Sequence, residues 1–323
     1  MVQMKAVILA GGYATRLWPL TKNRAKPLLP LGKKPIIEHI LEEIKKEKRI
    51  HETIISANKK FEPDFEDYLS KNSYENTKIT VEDTNKEKEK PGAIGALSQI
   101  IKEEDISGPL LVAAGDNYIS FNISDFLDFY EKKQNSCLAA YKVPIEEASQ
   151  YGVLNVKDTE VKEFKEKPEE PESNLVSIAF YVFSEKGIKS LKEYIKSGKN
   201  PDSPGYFIEW LIKNEKVNAF SFDGKWFDIG TPRGYLKAYK SIVGENRIID
   251  SEVKNSKVEK SLIKSSNVID SEIKNSLIFE ETKIENCKIK NTIIDNKNLS
   301  NKKIKNQIVS KTKPKNKKFT NLE

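Results

Sequence analysis

From Ser251 onward the chain repeats itself. Ser251-x-Val253, Ser256-x-Val258, Ser261-x-Ile263, Ser266-x-Val268, Ser271-x-Ile273 and Ser276-x-Ile278 follow at steps of five residues. One residue is inserted, and Thr282-x-Ile284, Cys287-x-Ile289 and Thr292-x-Ile294 resume the pattern. A small residue two places before a β-branched one, nine times over, predicts a β-solenoid (β-helix). The apolar column stacks inside, while Lys, Glu and Asn face water. A strict five suits a four-sided coil; handedness stays open. Such a coil cannot bury all of its surface alone, which predicts packing on a partner subunit and a homo-oligomer.

The other constraining stretch is the start, Lys5 to Pro35. The apolar run Ala6–Ala10 reads as a buried parallel strand. Gly11 and Gly12 follow at its carboxyl end, where open α/β sheets place ligands. Their amides can cup a phosphate, and the backbone there can approach a ligand closely. Arg16 offers a planar fork of donors that matches phosphate oxygens. Lys26 adds a point charge, with Pro27 stiffening the loop behind it. Neither a P-loop nor a Gly-x-Gly-x-x-Gly fingerprint is present.

The whole string resembles the signature of the sugar-1-phosphate nucleotidylyltransferases, the NDP-sugar pyrophosphorylases. Leu9, Ala10, Gly11, Gly12, Thr15, Arg16, Leu17, Pro19, Leu20, Thr21, Lys26 and Pro27 carry the match. One position departs: Ala14 stands where the family has a third glycine, and alanine costs energy there if φ is positive. Four further stretches resemble the same family. Pro91-Gly92-Ala93-Ile94-Gly95-Ala96 is similar to the segment lining the nucleotide's base and sugar. Gly115-Asp116 is similar to the pair whose aspartate binds Mg²⁺. Tyr151-Gly152-Val153, followed by Glu166-Lys167-Pro168, resembles the sugar-phosphate half of the site. Trp226-Phe227-Asp228-Ile229-Gly230-Thr231-Pro232 nearly reproduces the motif with the second metal carboxylate. A second glycine is lost at Ala179, in Ile178-Ala179-Phe180-Tyr181.

The resemblance covers residues 4 to 240 and implies a Rossmann-like α/β domain. It implies transfer of a nucleotidyl group from an NTP to a sugar 1-phosphate, releasing pyrophosphate. Asp116 and Asp228 would hold Mg²⁺. Arg16 would steady the pyrophosphate, and Lys26 would neutralise phosphate oxygens. Lys167 would clamp the sugar phosphate and Glu166 hold a sugar hydroxyl. Leu9, Ala10, Gly11, Gly12, Gly92 and Asp116 would line the nucleotide, and Gly152 the sugar. No general base is required, which suits a chain with only His39 and His51. Glucose 1-phosphate with dTTP or UTP is the first expectation, and mannose 1-phosphate with GTP the second. Thymidylyl-specific relatives place a Gln before the glycine segment, and Thr84–Lys90 has none. A non-catalytic regulatory subunit of the same fold has only Ala14 and Ala179 in its favour. Acyl transfer by the repeat lacks a histidine within residues 251–296.

Three parts are expected: a catalytic domain over 1–245, the repeat over 246–296, and a lysine-rich tail over 297–323 without structure. The hairpin pattern of residues 151–166 makes the sheet mixed. Every candidate active-site residue precedes Gly234, so the repeat reads as an assembly element and not a catalytic one. Composition adds limits. Net charge is +7, but residues 297–323 hold nine lysines and one glutamate, so the body is near neutral and nucleic-acid binding is not expected. Cys137 and Cys287 make no disulfide framework and no zinc cluster. With no signal-peptide pattern and no apolar run of the ~20 residues a bilayer needs, a cytoplasmic protein without membrane contact is expected.

Overall fold

Residues Ala6, Val7 and Ile8 are each fully buried in a strand, β1 (Met4–Leu9). An unbroken apolar run of this kind belongs to a strand covered on both faces. The computed structural model describes residues 2–82 and 91–311, so the charged run Lys86–Lys90 and the stretch from Thr84 lie outside the described residues. Eight further strands join β1: β2 (Ile50–Asn58), β3 (Thr77–Glu82), β4 (Leu110–Ala114), β5 (Ser136–Lys142), β6 (Gly152–Lys157), β7 (Glu160–Glu166), β8 (Leu175–Phe183) and β9 (Val217–Ser221). Their order in the sheet is β3-β2-β1-β4-β8-β5-β9-β7-β6. The first four in that order run parallel, while β8 is antiparallel to both of its neighbours β4 and β5. The sheet is therefore mixed, as the hairpin pattern predicts.

Helices Ala93–Glu103, Glu185–Lys196 and Pro204–Leu211 contribute Ile94, Leu97, Ile188, Leu191, Phe207 and Leu211 to one core with Val7, Val112 and Leu138 of the sheet. Helix Ile36–Lys46 buries Ile36, Ile37, Ile40, Leu41 and Ile44, which lie at helical spacing.

The chain divides into two compact units. One comprises Met1–Gly12, Ile37–Gly115 and Ile119–Trp226, and carries the nine-stranded sheet. The other comprises Tyr13–Ile36, Asp116–Tyr118 and Phe227–Glu323. This differs from the sequence-based division at residue 245. The reason is apolar packing. Leu17, Leu20, Leu29, Leu31 and Ile36 of the N-terminal loop share one core with Tyr235, Leu236 and Tyr239 of helix Pro232–Ile242 and with Leu262, Leu277, Ile293 and Ile308 of the repeat. One face of the repeat is thus covered by the protein's own loop and helix.

The repeat builds three parallel sheets, visited in turn. Strand pairing advances 15 residues per circuit, as from Ile248 to Ile263 and from Val253 to Val268. Three sides of five residues make 15, so the four-sided expectation is corrected to a three-sided coil. Val268, Ile273, Ile278, Ile284, Ile289 and Ile294 fill its interior. The corners fall every five residues at left-handed positions: Asp250, Asn255, Lys260, Ser265, Asp270, Asn275, Asn286, Asn291, Asn296, Asn301 and Asn306. Asn and Asp dominate because they tolerate this backbone best after glycine. The small residue after each corner has a use beyond its size. Ser261 Oγ accepts from Ser276 N at 3.0 Å and donates to Glu259 O at 2.7 Å, and Ser251, Ser256, Ser271 and Ser276 make the same pair of bonds.

The tail expectation is corrected over residues 297–311, while residues 312–323 lie outside the described residues. Strands Leu299–Ser300, Lys303–Lys305 and Ile308–Ser310 continue the three sheets. Leu299, Ile304 and Val309 extend the apolar column, with Asn296, Asn301 and Asn306 at the corners. Lys297, Lys302 and Gln307 occupy the small-residue places there, which erases the serine signal while the five-residue apolar period continues.

Candidate active site

The second unit gathers four of the predicted residues. Arg16 lies in a short 3-10 turn, Thr15–Leu17, preceded by Ala14. Ala14 has φ 48° and ψ 43°, and its carbonyl accepts from Leu17 N at 2.9 Å and Thr21 Oγ1 at 2.8 Å. The condition for that cost is met: an alanine sits in the left-handed region. Lys26 opens a second turn, Lys26–Leu28, with Pro27 behind it, and is buried. Its ammonium pairs with Asp116 Oδ2. Burial alone would raise the Asp116 carboxyl, but the Lys26 charge and bond outweigh it and hold Asp116 below its ordinary value. Asn117 Nδ2 donates to the other oxygen, Asp116 Oδ1, at 3.0 Å.

Asp228 is brought beside Asp116 by backbone pairing, since Ile229 N donates to Asp116 O at 3.2 Å. Gly230 separates Asp228 from Arg16. A Cβ added there would lie 3.0 Å from Asp228 Oδ1 and 3.2 Å from Arg16 Nη2. Thr231 then caps helix Pro232–Ile242 by accepting from Gly234 N at 3.0 Å. Two carboxylates and two cations thus meet on short segments of one unit. Both aspartates supply hard oxygen donors, and Asp116 is held ionised. Mg²⁺ takes one or two carboxylates together with substrate phosphates and water, so the donor set fits that ion.

The first unit holds the other predicted residues. Leu9 ends β1, and Ala10 is buried directly after it. Gly12 is exposed with open space around its Cα, the condition an approaching phosphate needs. Gly11 is occupied differently: a Cβ there would lie 2.1 Å from Glu82 Oε1, and Gly11 O accepts from Asn58 Nδ2 at 2.8 Å. Glu82 ends β3, is buried, and accepts from Ser56 Oγ at 2.8 Å. Gly92 has φ 79°, and the room above it is filled by backbone, with Pro201 O 2.4 Å from an added Cβ. Ala93 N and Ile94 N donate to Asp202 O and Pro201 O, so these helix-start amides are already engaged. Gly152 makes way for the Phe164 ring.

Glu166 and Lys167 split in character. Glu166 is nearly enclosed, accepts from Ser203 Oγ at 2.9 Å, and packs against Gly205 at the start of helix Pro204–Leu211. Lys167 is exposed, has φ 49°, and lies 3.6 Å from Glu166 Oε1. Its backbone is fixed because Lys167 N donates to Tyr151 O at 3.0 Å, which ties the two halves of the Tyr-Gly-Val and Glu-Lys-Pro pattern together. Ala179, the second missing glycine, has φ 54° inside β8, where the register against β5 slips between Ser177 and Tyr181. Glu82, Asn117 and Ser203 were missed by sequence reasoning. Only Ser203 left a signal, as a serine cap followed by a proline at the helix start.

A family model described as nucleotidyl transferase matches residues 5–245. A glucose-1-phosphate adenylyltransferase of Fusobacterium nucleatum is 30% identical over 316 residues, covering 90% of this chain and 76% of that protein. A provisionally named mannose-1-phosphate guanyltransferase of Sulfolobus acidocaldarius is 28% identical over 235 residues, covering 72% of this chain and 62% of that protein. Among solved structures, a UDP-glucose pyrophosphorylase in complex with UDP-glucose superposes with a TM-score of 0.63 at 25% identity, over 76% of this chain and 99% of the other.

Proposed function

Because this chain belongs to the nucleotidyl transferase family, we propose that it joins a sugar 1-phosphate to an NTP, forming an NDP-sugar and pyrophosphate. The observation that carries the reading is the Lys26–Asp116 pair with Asp228 and Arg16 beside it. A phosphate oxygen of the sugar phosphate attacks the α-phosphorus in line, and the bond to pyrophosphate breaks. The nucleophile is already an anion, so charge neutralisation and alignment are what the protein must supply. Arg16 takes the charge of the departing pyrophosphate, and Lys26 offsets phosphate oxygens while holding Asp116 ionised. Lys167 binds the sugar phosphate, and Glu166, fixed by Ser203, accepts from a sugar hydroxyl. Gly11 and Gly12 bring backbone amides to the nucleotide phosphates. Asp116 and Asp228 would hold Mg²⁺, which when bound supplies positive charge against the reacting phosphates.

Glucose 1-phosphate with dTTP or UTP is the first substrate pair of this reading. A second pair, mannose 1-phosphate with GTP, is favoured by one observation: the buried Glu82 carboxylate at the end of β3, against Gly11. A carboxylate accepts hydrogen bonds. Guanine offers adjacent N–H donors, whereas uracil and thymine present one donor between two carbonyl acceptors. A regulatory, non-catalytic role is disfavoured by the retained Lys26–Asp116 pair. The reading also includes a cytoplasmic location and assembly of the repeat region, a β-solenoid, into a homo-oligomer. Among the described residues no helix is long and apolar enough to cross a membrane.

The test is pyrophosphate release across four NTPs with glucose 1-phosphate and mannose 1-phosphate. Turnover with at least one pair, reduced about 10²-fold or more in Asp228→Asn, is the expected result. No release with any pair would overturn the enzyme reading. Lys167→Ala should raise the KM for the sugar phosphate and leave NTP affinity nearly unchanged.

A further inference from the structure

The five-residue period slips once, and the slip faces the loop that carries Lys26. Elsewhere one left-handed residue makes each corner, but Glu280 and Glu281 are both left-handed, with φ of 32° and 48°. The circuit there takes 16 residues: Leu277 pairs with Ile293, whereas Leu262 pairs with Leu277 and Ile293 with Ile308. Lys260 and Ser265 also make left-handed corners without being Asn, Asp or Gly, but singly; here two such residues follow one another, so this corner carries more backbone strain than the single-residue corners.

The extra residue has a partner outside the repeat. Glu280 Oε1 lies 2.5 Å from Arg24 Nη2. Asp295, paired in register with Phe279 one circuit on, lies 3.8 Å from the same nitrogen. The Arg24 guanidinium also stands over the Phe279 ring at 5.7 Å. Asp295 Oδ1 is buried without a hydrogen-bond partner among the described residues, and burial pushes this carboxyl up, so the position is costly unless Arg24 is there. Two residues after Arg24 comes Lys26, with the buried Ala25 between them. Leu29 N closes the next turn on Lys26 O at 3.0 Å, and Leu29 is fully buried in the shared core.

We propose that Glu280 and Asp295 grip Arg24 and thereby position Lys26, so that the slipped corner of the repeat is a positioning device for the catalytic loop. The proposal rests on the reading that Lys26 meets substrate phosphate. Glu280 is half-exposed, and an exposed ion pair contributes little to stability. Its effect belongs in kinetics, where a displacement of about 1 Å at a catalytic group can cost up to about 10²-fold.

The experiment uses the full chain and pyrophosphate release with its best substrate pair. Glu280→Gln should lower kcat roughly tenfold, with each KM changed less than about twofold. Deleting Glu280 restores a 15-residue circuit and relieves the strained corner. It should leave the melting temperature equal or higher and still lower kcat. If the deletion variant misfolds, Glu280→Gln and Asp295→Asn carry the test. Lys26→Ala separates the two readings: wild-type turnover in it overturns the role of Lys26 and the grip together. A slow Lys26→Ala enzyme beside a normal Glu280→Gln enzyme overturns the grip alone. In the Lys26→Ala background, Glu280→Gln should add no further loss. An undiminished further loss there would show that Glu280 does not act through Lys26.

Discussion

Ser276→Ala should destabilise the repeat by about 2 kcal/mol, and the number follows from what each bond leaves behind. Ser276 is fully buried, its Oγ accepts from Thr292 N at 3.2 Å, and it donates to Lys274 O at 2.8 Å. The Lys274 carbonyl keeps a second partner, Asn291 N at 3.1 Å, so its loss is minor. Thr292 N has no such substitute, and Thr292 is itself fully buried. An orphaned buried donor costs about 1–3 kcal/mol. The control is Thr292→Val, at a corner of equal burial. Its hydroxyl donates to Lys290 O, which also receives Asn306 N at 3.2 Å, so about 0.5–1 kcal/mol is expected. Urea denaturation should show the Ser276→Ala midpoint lower by about 1 M for a slope near ~2 kcal/mol/M. Hydrogen exchange at the Thr292 amide should accelerate about 30-fold, the equivalent of ~2 kcal/mol. Equal shifts in the two variants, or a Ser276→Ala shift below about 0.5 kcal/mol, would refute the idea that the serine column is a hydrogen-bond ladder.

Truncation after Asn296 removes Ile308 from the shared core and uncovers Ile293 and Ile294, so it should lower thermal stability and speed heat inactivation; an unchanged melting curve would contradict the packing. Truncation from Glu252 should abolish activity, because Leu17, Leu20, Leu29 and Leu31 lose their cover; substantial turnover would show that the loop stands without the repeat. Ala14→Gly and Ala179→Gly relieve a left-handed alanine at φ 48° and 54° and should each stabilise by about 0.5–1 kcal/mol, read by thermal melting. Because Asp116 titrates below its ordinary value when folded, its ion pair contributes stability above about pH 4 and loses it as pH falls through the folded value. In Lys26→Met the partly buried Asp116 loses the charge that holds it down and should titrate higher than in the parent, moving the acid limit of folding upward in a pH-melting series.

What the sequence determined by itself is whatever depends on local pattern. The apolar run Ala6–Ala10 reads as a covered strand, and Met4–Leu9 forms one with Ala6, Val7 and Ile8 fully buried. The motifs that carry Arg16, Lys26, Asp116 and Asp228 were legible because family chemistry demands those residues at those spacings. The five-residue period was legible too, but not the number of sides. A period states the length of a side; only the pairing of Ile248 with Ile263 says that three sides close a circuit. The last circuit was hidden because lysines replaced the serines, although Leu299, Ile304 and Val309 kept the buried column. Tertiary structure alone decided that the repeat covers the N-terminal loop, since Leu17 and Leu277 lie far apart along the chain and either could have faced any apolar surface. It also decided the use of the inserted residue. In the sequence Glu280 is one extra letter in a period; in the fold it is the carboxylate that reaches Arg24.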